Sequence, residues 1–486
     1  MTETEVGLGR RIRELGAGHA DEIAYRHIGS DGSEPAVTWG ELDDRSTRLA
    51  GALAKRGVGQ DDLVGIGLRN GPRFVLSTFA AWKLGAVPVP VRWDVPDWEL
   101  ERLREVIRPR IYLGDPDLTW IDEARELEAP TLPDAVAPYS HGICSSGSTG
   151  TPKVILAGTP SVYNPAAGIP MMSRWRPIPT PQTVLVLAPM YHVNAFSALY
   201  PMLAGDRLVV MEKFDAARVV DVIERYRITN FTATPTMLQR IADLPGIDER
   251  DLSSIEWFTQ GAAPMPPSLV DRWSALIGAH RILMAYGMTE GLGLAALTGE
   301  EWSTRRGSVG RGVRGTEIRI LGPSGEQLPP GEIGDIYLRT PGAPSAPYLG
   351  DVPQPASTAD GFVTVGDLGH LDEEGFLYLA DRRVDVIISG GANIFPAEVE
   401  TALIDHPDVA DVVVIGVRDP EWGRRVHAVI EPADPANPPS LEEIRVFAKS
   451  RLAPYKVPKS IETVDAIPRS EATKVNRGRL LETRGG

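Results

Sequence analysis

RLVVMEKFDAARVVDVIERYRITNFTA, residues 207–233, reads as strand, helix, strand. Leu208, Val209, Val210 and Met211 form the continuous apolar run of a strand buried on both faces. Asp215 stands where an N-cap belongs, and Val219, Val220, Val222, Ile223 and Tyr226 follow at helical spacing. Asn230-Phe231-Thr232-Ala233 is again strand-like. Two strands joined through a helix rather than a tight turn predict a parallel pair with the helix packed across it. The alternation continues outward, with strand character at 183–188 and helical character at 194–203 and 237–243. The fold class is therefore α/β, built on a largely parallel sheet with helices on its faces.

From about Gly307 the texture changes to short alternating strands punctuated by Gly and Pro, at 317–321, 331–338 and 376–380, which predicts a β-rich subdomain. A compact unit follows, with helices at 397–404 and 441–451, strands at 409–417 and 426–430, and a Pro/Asp/Ala-rich loop at 432–439. A chain of 486 residues exceeds what one hydrophobic core organises, so at least two domains are expected.

Fifty Lys+Arg stand against 65 Asp+Glu, a net charge of −15. That sign opposes nucleic-acid or anionic-membrane binding, so any phosphate must be held by a local site. Cys144 is the single cysteine, which excludes an internal disulfide or a thiolate zinc site, and the eight histidines show no paired ligand spacing. Cys144 reads as a buried small hydrophobe. Apolar stretches such as 410–417 fall short of the roughly 20 residues of a membrane span, and the first residues are acidic, unlike a secretory leader. The expectation is a cytoplasmic protein without membrane insertion.

The stretch Ser145-Ser146-Gly147-Ser148-Thr149-Gly150-Thr151-Pro152-Lys153 combines glycines that let backbone approach an anion, hydroxyls that donate to phosphate oxygens, and a lysine. It is not a Walker loop, whose lysine follows a glycine directly. Further motifs follow in order: Gly261-Ala262-Ala263-Pro264, Ala285-Tyr286-Gly287-Met288-Thr289-Glu290, Gly366-Asp367, Asp381-Arg382-Arg383, Ser389-Gly390-Gly391 and Pro468-Arg469-Ser470-Glu471-Ala472-Thr473-Lys474. Together with Thr38-Trp39-Gly40-Glu41-Leu42 near the start, this series resembles the adenylate-forming superfamily, in particular its acyl-CoA synthetases.

The resemblance implies a large N-terminal domain over 1–381, made of parallel-sheet αβα subdomains with the β-rich part from about 307, a hinge at 382–384 and a small mobile α+β domain over 385–486. It implies ATP, Mg²⁺ and coenzyme A as ligands and a small carboxylic acid as substrate. Ser145, Ser146, Gly147, Ser148, Thr149, Gly150 and Lys153 would face phosphate. Gly261, Ala262, Ala263, Pro264, Tyr286 and Gly287 would surround adenine, although Tyr286 alone would read as a core aromatic. Asp367 and Arg382 match the ribose-binding pair, Glu290 the carboxylate that holds Mg²⁺, and Thr289 a phosphate contact. Lys474 matches the lysine that reaches the carboxylate and α-phosphate during adenylation, here preceded by Thr473 rather than the commoner glycine.

His192, after Tyr191, matches a residue of the acid pocket, for which Phe196, Ala285 and Gly287 are the other candidates. Its position is that of the aspartate that pairs the ammonium in amino-acid-activating relatives, which argues against an α-amino acid. Ser389, Gly390 and Gly391 resemble the backbone beside the pantetheine tunnel, and Trp422-Gly423 and Tyr455-Lys456-Val457-Pro458 resemble the ligases. Arg424 and Arg425 are candidates for the CoA phosphates or simply solvated charges. The hinge departs from the family's usual Asp or Lys by carrying Val384. A discrete carrier protein as acceptor, or an unusual oxyanion delivered to an amine, remains open; the chain ends at Gly486 without a carrier serine motif. The motifs most resemble synthetases for bulky acids, including bile-acid, aromatic and branched types.

Overall fold

The strand–helix–strand prediction at 207–233 is realised as strand Arg207–Met211, helix Ala216–Tyr226 and strand Asn230–Ala233 in a computed structural model of the chain. The structure describes residues 6–124, 126–146, 152–342, 346–364, 366–382, 385–389, 392–469, 475 and 477–484. Asp215 caps the helix by accepting from Arg218 N at 2.8 Å, and Val219, Val220, Val222 and Ile223 are all buried.

Six strands run parallel side by side, in the order Ile23–Ile28, Arg207–Met211, Thr183–Val186, Asn230–Ala233, Trp257–Gln260, Ile282–Gly287. Leu294–Thr298 then pairs antiparallel with Ile282–Gly287, because residues 288–293 are too few for a crossover helix. The strands expected as a β-rich subdomain continue this sheet: Ser308–Gly312, Leu377–Arg382, Asp367–Leu371, Gly334–Arg339 and Glu317–Leu321 extend it antiparallel, and Ala36–Thr38 pairs antiparallel with Ile23–Ile28 at the other edge, to thirteen strands in all.

Two cores lie against it. One gathers Phe74, Phe79, Trp82 and Phe196, the other Phe231, Phe258 and Trp273. In the first, the fully buried Lys83 reaches Asp43 Oδ1 at 2.5 Å and Thr47 Oγ1 at 2.6 Å, tying helix Pro72–Lys83 to helix Trp39–Lys55. That second helix begins at a capping box between Thr38 and Glu41. The helix expected over 194–203 is two short ones, Val193–Phe196 and Leu199–Leu203. Pro201 has no N–H with which to reach the Ser197 carbonyl, so the ladder is interrupted there.

The C-terminal unit has its own sheet of five strands, Ile387–Ser389, Ala392–Ile394, Val409–Asp419, Gly423–Pro432 and Ser460–Thr463, with helices Pro396–Leu403 and Leu441–Lys449. Its core, including Ile394, Val399, Val414, Ala428 and Ile444, is distinct from the other two. Among the described residues no helix is long and apolar enough to cross a membrane.

Candidate active site

Strands Gly142–Ser146 and Pro152–Leu156 form a hairpin in which Ser145 stands opposite Lys153 and Ser146 opposite Pro152. Gly147, Ser148, Thr149 and Gly150 at its tip lie outside the described residues, as do the side chains of Ser145 and Ser146. The hairpin's base is fixed from the core. Trp82 Nε1 donates to Ser140 O at 2.7 Å, Tyr200 Oη donates to Ser140 Oγ at 3.0 Å, and His141 Nδ1 lies 2.6 Å from Tyr200 Oη. Burial lowers the His141 pKa to about 4. Cys144, half-buried on the same strand, has its thiol pushed up to about 12 by burial, which makes it a poor nucleophile.

Next to the hairpin's tip Lys153 Nζ lies 3.3 Å from Glu290 Oε1, and Glu290 itself is buried. Tyr348, from the edge strand Tyr348–Leu349 paired to Pro152–Leu156, donates its hydroxyl to the same Oε1 at 2.5 Å. Its ring centroid lies 3.9 Å from Lys153 Nζ. Burial first, and then Glu290, push the Tyr348 phenol well above its ordinary value, so it remains a donor. Sequence reading did not single out Tyr348; only its place beside the hairpin identifies it.

Tyr286 is the penultimate residue of strand Ile282–Gly287 and donates to Asp367 Oδ2 at 2.7 Å. Asp367 stands opposite Arg382 in the antiparallel pair of strands Asp367–Leu371 and Leu377–Arg382; the Arg382 side chain lies outside the described residues. The Gly261–Pro264 turn follows the neighbouring strand Trp257–Gln260, and Gln260 Nε2 donates to Gly261 O at 3.2 Å and to Ala263 O. Ala262 is held at φ +74°, a left-handed conformation that costs a non-glycine residue of order 1–3 kcal/mol and that clusters at ligand sites.

His192 precedes helix Val193–Phe196, half-buried, with its ring 4.4 Å from that of Tyr191. Asn194 and Ser197, three apart and exposed, share the open face of this segment. Phe196 is turned the other way. It is fully buried against His141, Trp82 and Phe74, with ring centroids 4.9, 6.1 and 6.3 Å away, so it belongs to the core and not to the pocket wall expected for it. Asn70, absent from the sequence candidates, holds the His192 segment in place: it accepts from Met190 N at 2.7 Å and donates to Ala188 O at 2.9 Å and Met211 O at 3.1 Å. No periodicity or motif marks such a buried loop amide.

In the C-terminal unit Ser389 is buried and pairs with Ala392 and Gly423, while Gly390 and Gly391 lie outside the described residues. Lys459 Nζ sits 3.6 Å from the ring centroid of the part-exposed Trp422. Arg424 donates to Gly416 O at 3.3 Å; Arg425 donates to Ser460 Oγ at 3.1 Å and lies 3.5 Å from Asp419. Both arginines thus have partners within the unit. Lys474 and Val384 lie outside the described residues. Arg469 and Val475, on either side of 470–474, form an antiparallel bridge, and Arg469 forks onto Asp411 at 2.6 and 2.7 Å.

Lys153, His192, Ala262, Ala285, Tyr286, Gly287, Thr289, Glu290, Asp367, Arg469 and Val475 all line one cleft of about 4440 Å³. Ligand pockets are typically 300–1,000 Å³. The larger figure reflects a pocket at the carboxyl ends of the parallel strands merging with the space beside the C-terminal unit, where open α/β sheets place their ligands.

Residues 12–346 match the family described as AMP-binding enzyme, and residues 398–474 its C-terminal domain. A feruloyl-CoA synthase of Amycolatopsis sp is 32% identical over 480 residues, covering 94% of this chain and 95% of that protein. A fatty acid–[acyl-carrier-protein] ligase of Streptomyces coeruleorubidus is 28% identical, covering 92% and 91%. Among solved structures, the o-succinylbenzoate CoA synthetase of Bacillus subtilis with its acyl-adenylate intermediate superposes with TM-score 0.84 at 29% identity, covering 99% of both chains; its complex with ATP and magnesium ion gives 0.83.

Proposed function

The chain belongs to the AMP-binding enzyme family, and from that premise we propose that it activates a carboxylic acid with ATP as the acyl-AMP, releasing pyrophosphate, and passes the acyl group to coenzyme A. The observation that supports this reading most is the convergence of Lys153, Glu290 and Tyr348 with Tyr286 and Asp367 on one cleft.

The acid's carboxylate oxygen attacks the α-phosphorus and the bond to pyrophosphate breaks. The CoA sulfur then attacks the acyl carbonyl, and AMP leaves. Neither step needs a protein nucleophile, so catalysis rests on positioning and on cations placed where negative charge develops. Asp367, which accepts from the Tyr286 hydroxyl, is assigned the ribose hydroxyls. Lys153 is assigned the phosphates. Lys474 supplies the cation for the adenylation step, and His192 walls the acid pocket. Glu290 fits Mg²⁺: it is a buried hard-oxygen ligand with cation contact already, and Mg²⁺ bound to nucleotide needs only one or two carboxylates. Among the described residues no group of three or more His, Cys, Asp or Glu is arranged to hold a metal by itself. When bound, the ion would offset phosphate charge.

A discrete carrier protein as acceptor is the second reading, favoured by the resemblance to the acyl-carrier-protein ligase. The two are separated by supplying ATP, Mg²⁺ and an acid panel headed by aromatic acids, then CoA, a pantetheinylated carrier or an amine in separate reactions. Product mass and AMP release are followed. CoA is expected to accelerate AMP release and give an acyl-CoA; acceleration by the carrier or the amine but never by CoA overturns the ligase reading while leaving the adenylation intact.

The same panel tests the pocket. α-Amino acids are expected to be poor substrates, because a buried ammonium needs an acidic partner and His192 occupies that position. His192→Ala should change acid preference more than ATP affinity. Pyrophosphate exchange with an amino acid but with none of its des-amino analogues would reverse this assignment.

A further inference from the structure

Glu290 receives two contacts on the same oxygen: Lys153 Nζ at 3.3 Å and the Tyr348 hydroxyl at 2.5 Å both meet Oε1, so neither of these bonds occupies Oε2. Tyr348 also touches the second member of the pair, its ring lying 3.9 Å from Lys153 Nζ. One side chain thus orients a carboxylate with its hydroxyl and seats an ammonium with its face. It does so from a paired strand. Tyr348 and Leu349 pair with Ile155 and Val154 of the hairpin strand that carries Lys153.

We propose that Tyr348 is a positioning residue for the metal–nucleotide site, holding Glu290 by Oε1 so that Oε2 is left to the cation and keeping Lys153 seated when it exchanges the carboxylate for phosphate. The inference rests on the ATP-dependent reading above. Its physical basis is competition: Lys153 and Mg²⁺ are both cations drawn to Glu290, and a carboxylate held by lysine alone would lose its orientation when the lysine departs for the nucleotide. A hydroxyl donor carries no charge, so it can remain on Oε1 while a metal takes the other oxygen. The ring attracts an ammonium through its negative face, an interaction that survives when the ion pair opens.

The test is calorimetric titration of ATP, once with Mg²⁺ and once with EDTA, into the wild type, Tyr348→Phe and Tyr348→Ala. Tyr348→Phe keeps the ring and removes the hydroxyl. It is expected to bind ATP in EDTA within about twofold of wild type but to lose about tenfold of the Mg²⁺-linked gain in affinity, the scale of one hydrogen bond to a charged group. Tyr348→Ala should in addition weaken binding in EDTA, since Lys153 loses its seat. In a Glu290→Gln background, Tyr348→Phe should add no further loss of the Mg²⁺-linked gain. A merely structural role predicts equal loss with and without Mg²⁺, and that result overturns the proposal, as does an unchanged Mg²⁺-linked gain in Tyr348→Phe. Failure of the wild type to bind ATP in either buffer overturns the reading beneath it, and this inference with it.

Discussion

Lys474→Ala is expected to lower acyl-adenylate formation by on the order of 10²–10³, the usual loss when one positioned donor is removed from a charged transition state, while thioester formation from a supplied acyl-AMP stays within a few-fold of wild type. In the proposed reaction only attack on the α-phosphate builds charge on a crowded phosphorus, and only that step calls for the cation. The neighbouring arginines are poor substitutes. Arg469 is forked onto Asp411, and Arg477 is forked onto Glu400 at 2.6 and 2.7 Å and lies 3.3 Å from Asp385, so both charges are committed within the C-terminal unit. Pyrophosphate release from acid and ATP measures the first half-reaction, and thioester yield from synthetic acyl-AMP the second. An equal loss in both would show that Lys474 supports the fold or both chemistries, and the division of labour would have to be abandoned.

Local signals were legible in the residues themselves. The Asp215 cap and the period of Val219, Val220, Val222 and Ile223 fix a helix because capping and amphipathicity act within a few residues. Register between distant strands leaves no such trace. Nothing near Ser308–Gly312 announces that it joins the β-rich strands to the parallel ones in a single sheet, since that depends on a partner, Leu377–Arg382, some seventy residues on. Phe196 illustrates a second limit. Its motif context pointed to the pocket, but in a segment broken by Pro201 the face a residue presents cannot be counted from a helical period, and the ring went to the core. Tyr348 and Asn70 illustrate a third. Each acts across a sequence separation of 58 residues or more, and a lone Tyr or Asn carries no spacing that would call attention to it.

A second expected effect falls on His141, beside the hairpin Gly142–Ser146/Pro152–Leu156, and takes the form of acid sensitivity. In the folded chain its pKa is about 4 instead of the ordinary 6.5, because the half-buried residue packs its ring against Phe196 and Tyr200 and the charged form is desolvated. A base whose folded pKa is depressed gives stability that is fully present above pH 6.5 and is lost as the pH falls toward 4, since over that window the unfolded chain binds a proton that the folded chain refuses. About two and a half pKa units correspond to about 3 kcal/mol. Asp206 acts in the opposite sense. Burial raises its pKa to about 6 from 3.8, so the folded state takes up a proton first and gains stability as the pH falls through the same region. Burial also lowers the pKa of His27 and of His427, so the wild-type profile mixes several groups and the His141 contribution has to be read as a difference. His141→Phe keeps a ring in the cage and removes the titration, leaving the Tyr200 hydroxyl its bond to Ser140. Urea denaturation at intervals from pH 7 to pH 4 is expected to show the variant gaining on the wild type by about 3 kcal/mol across that span, whatever its stability at pH 7. Parallel profiles would mean that His141 is protonated in the folded chain or released from its cage, and the hairpin would then be anchored by the Trp82 and Tyr200 bonds to Ser140 alone.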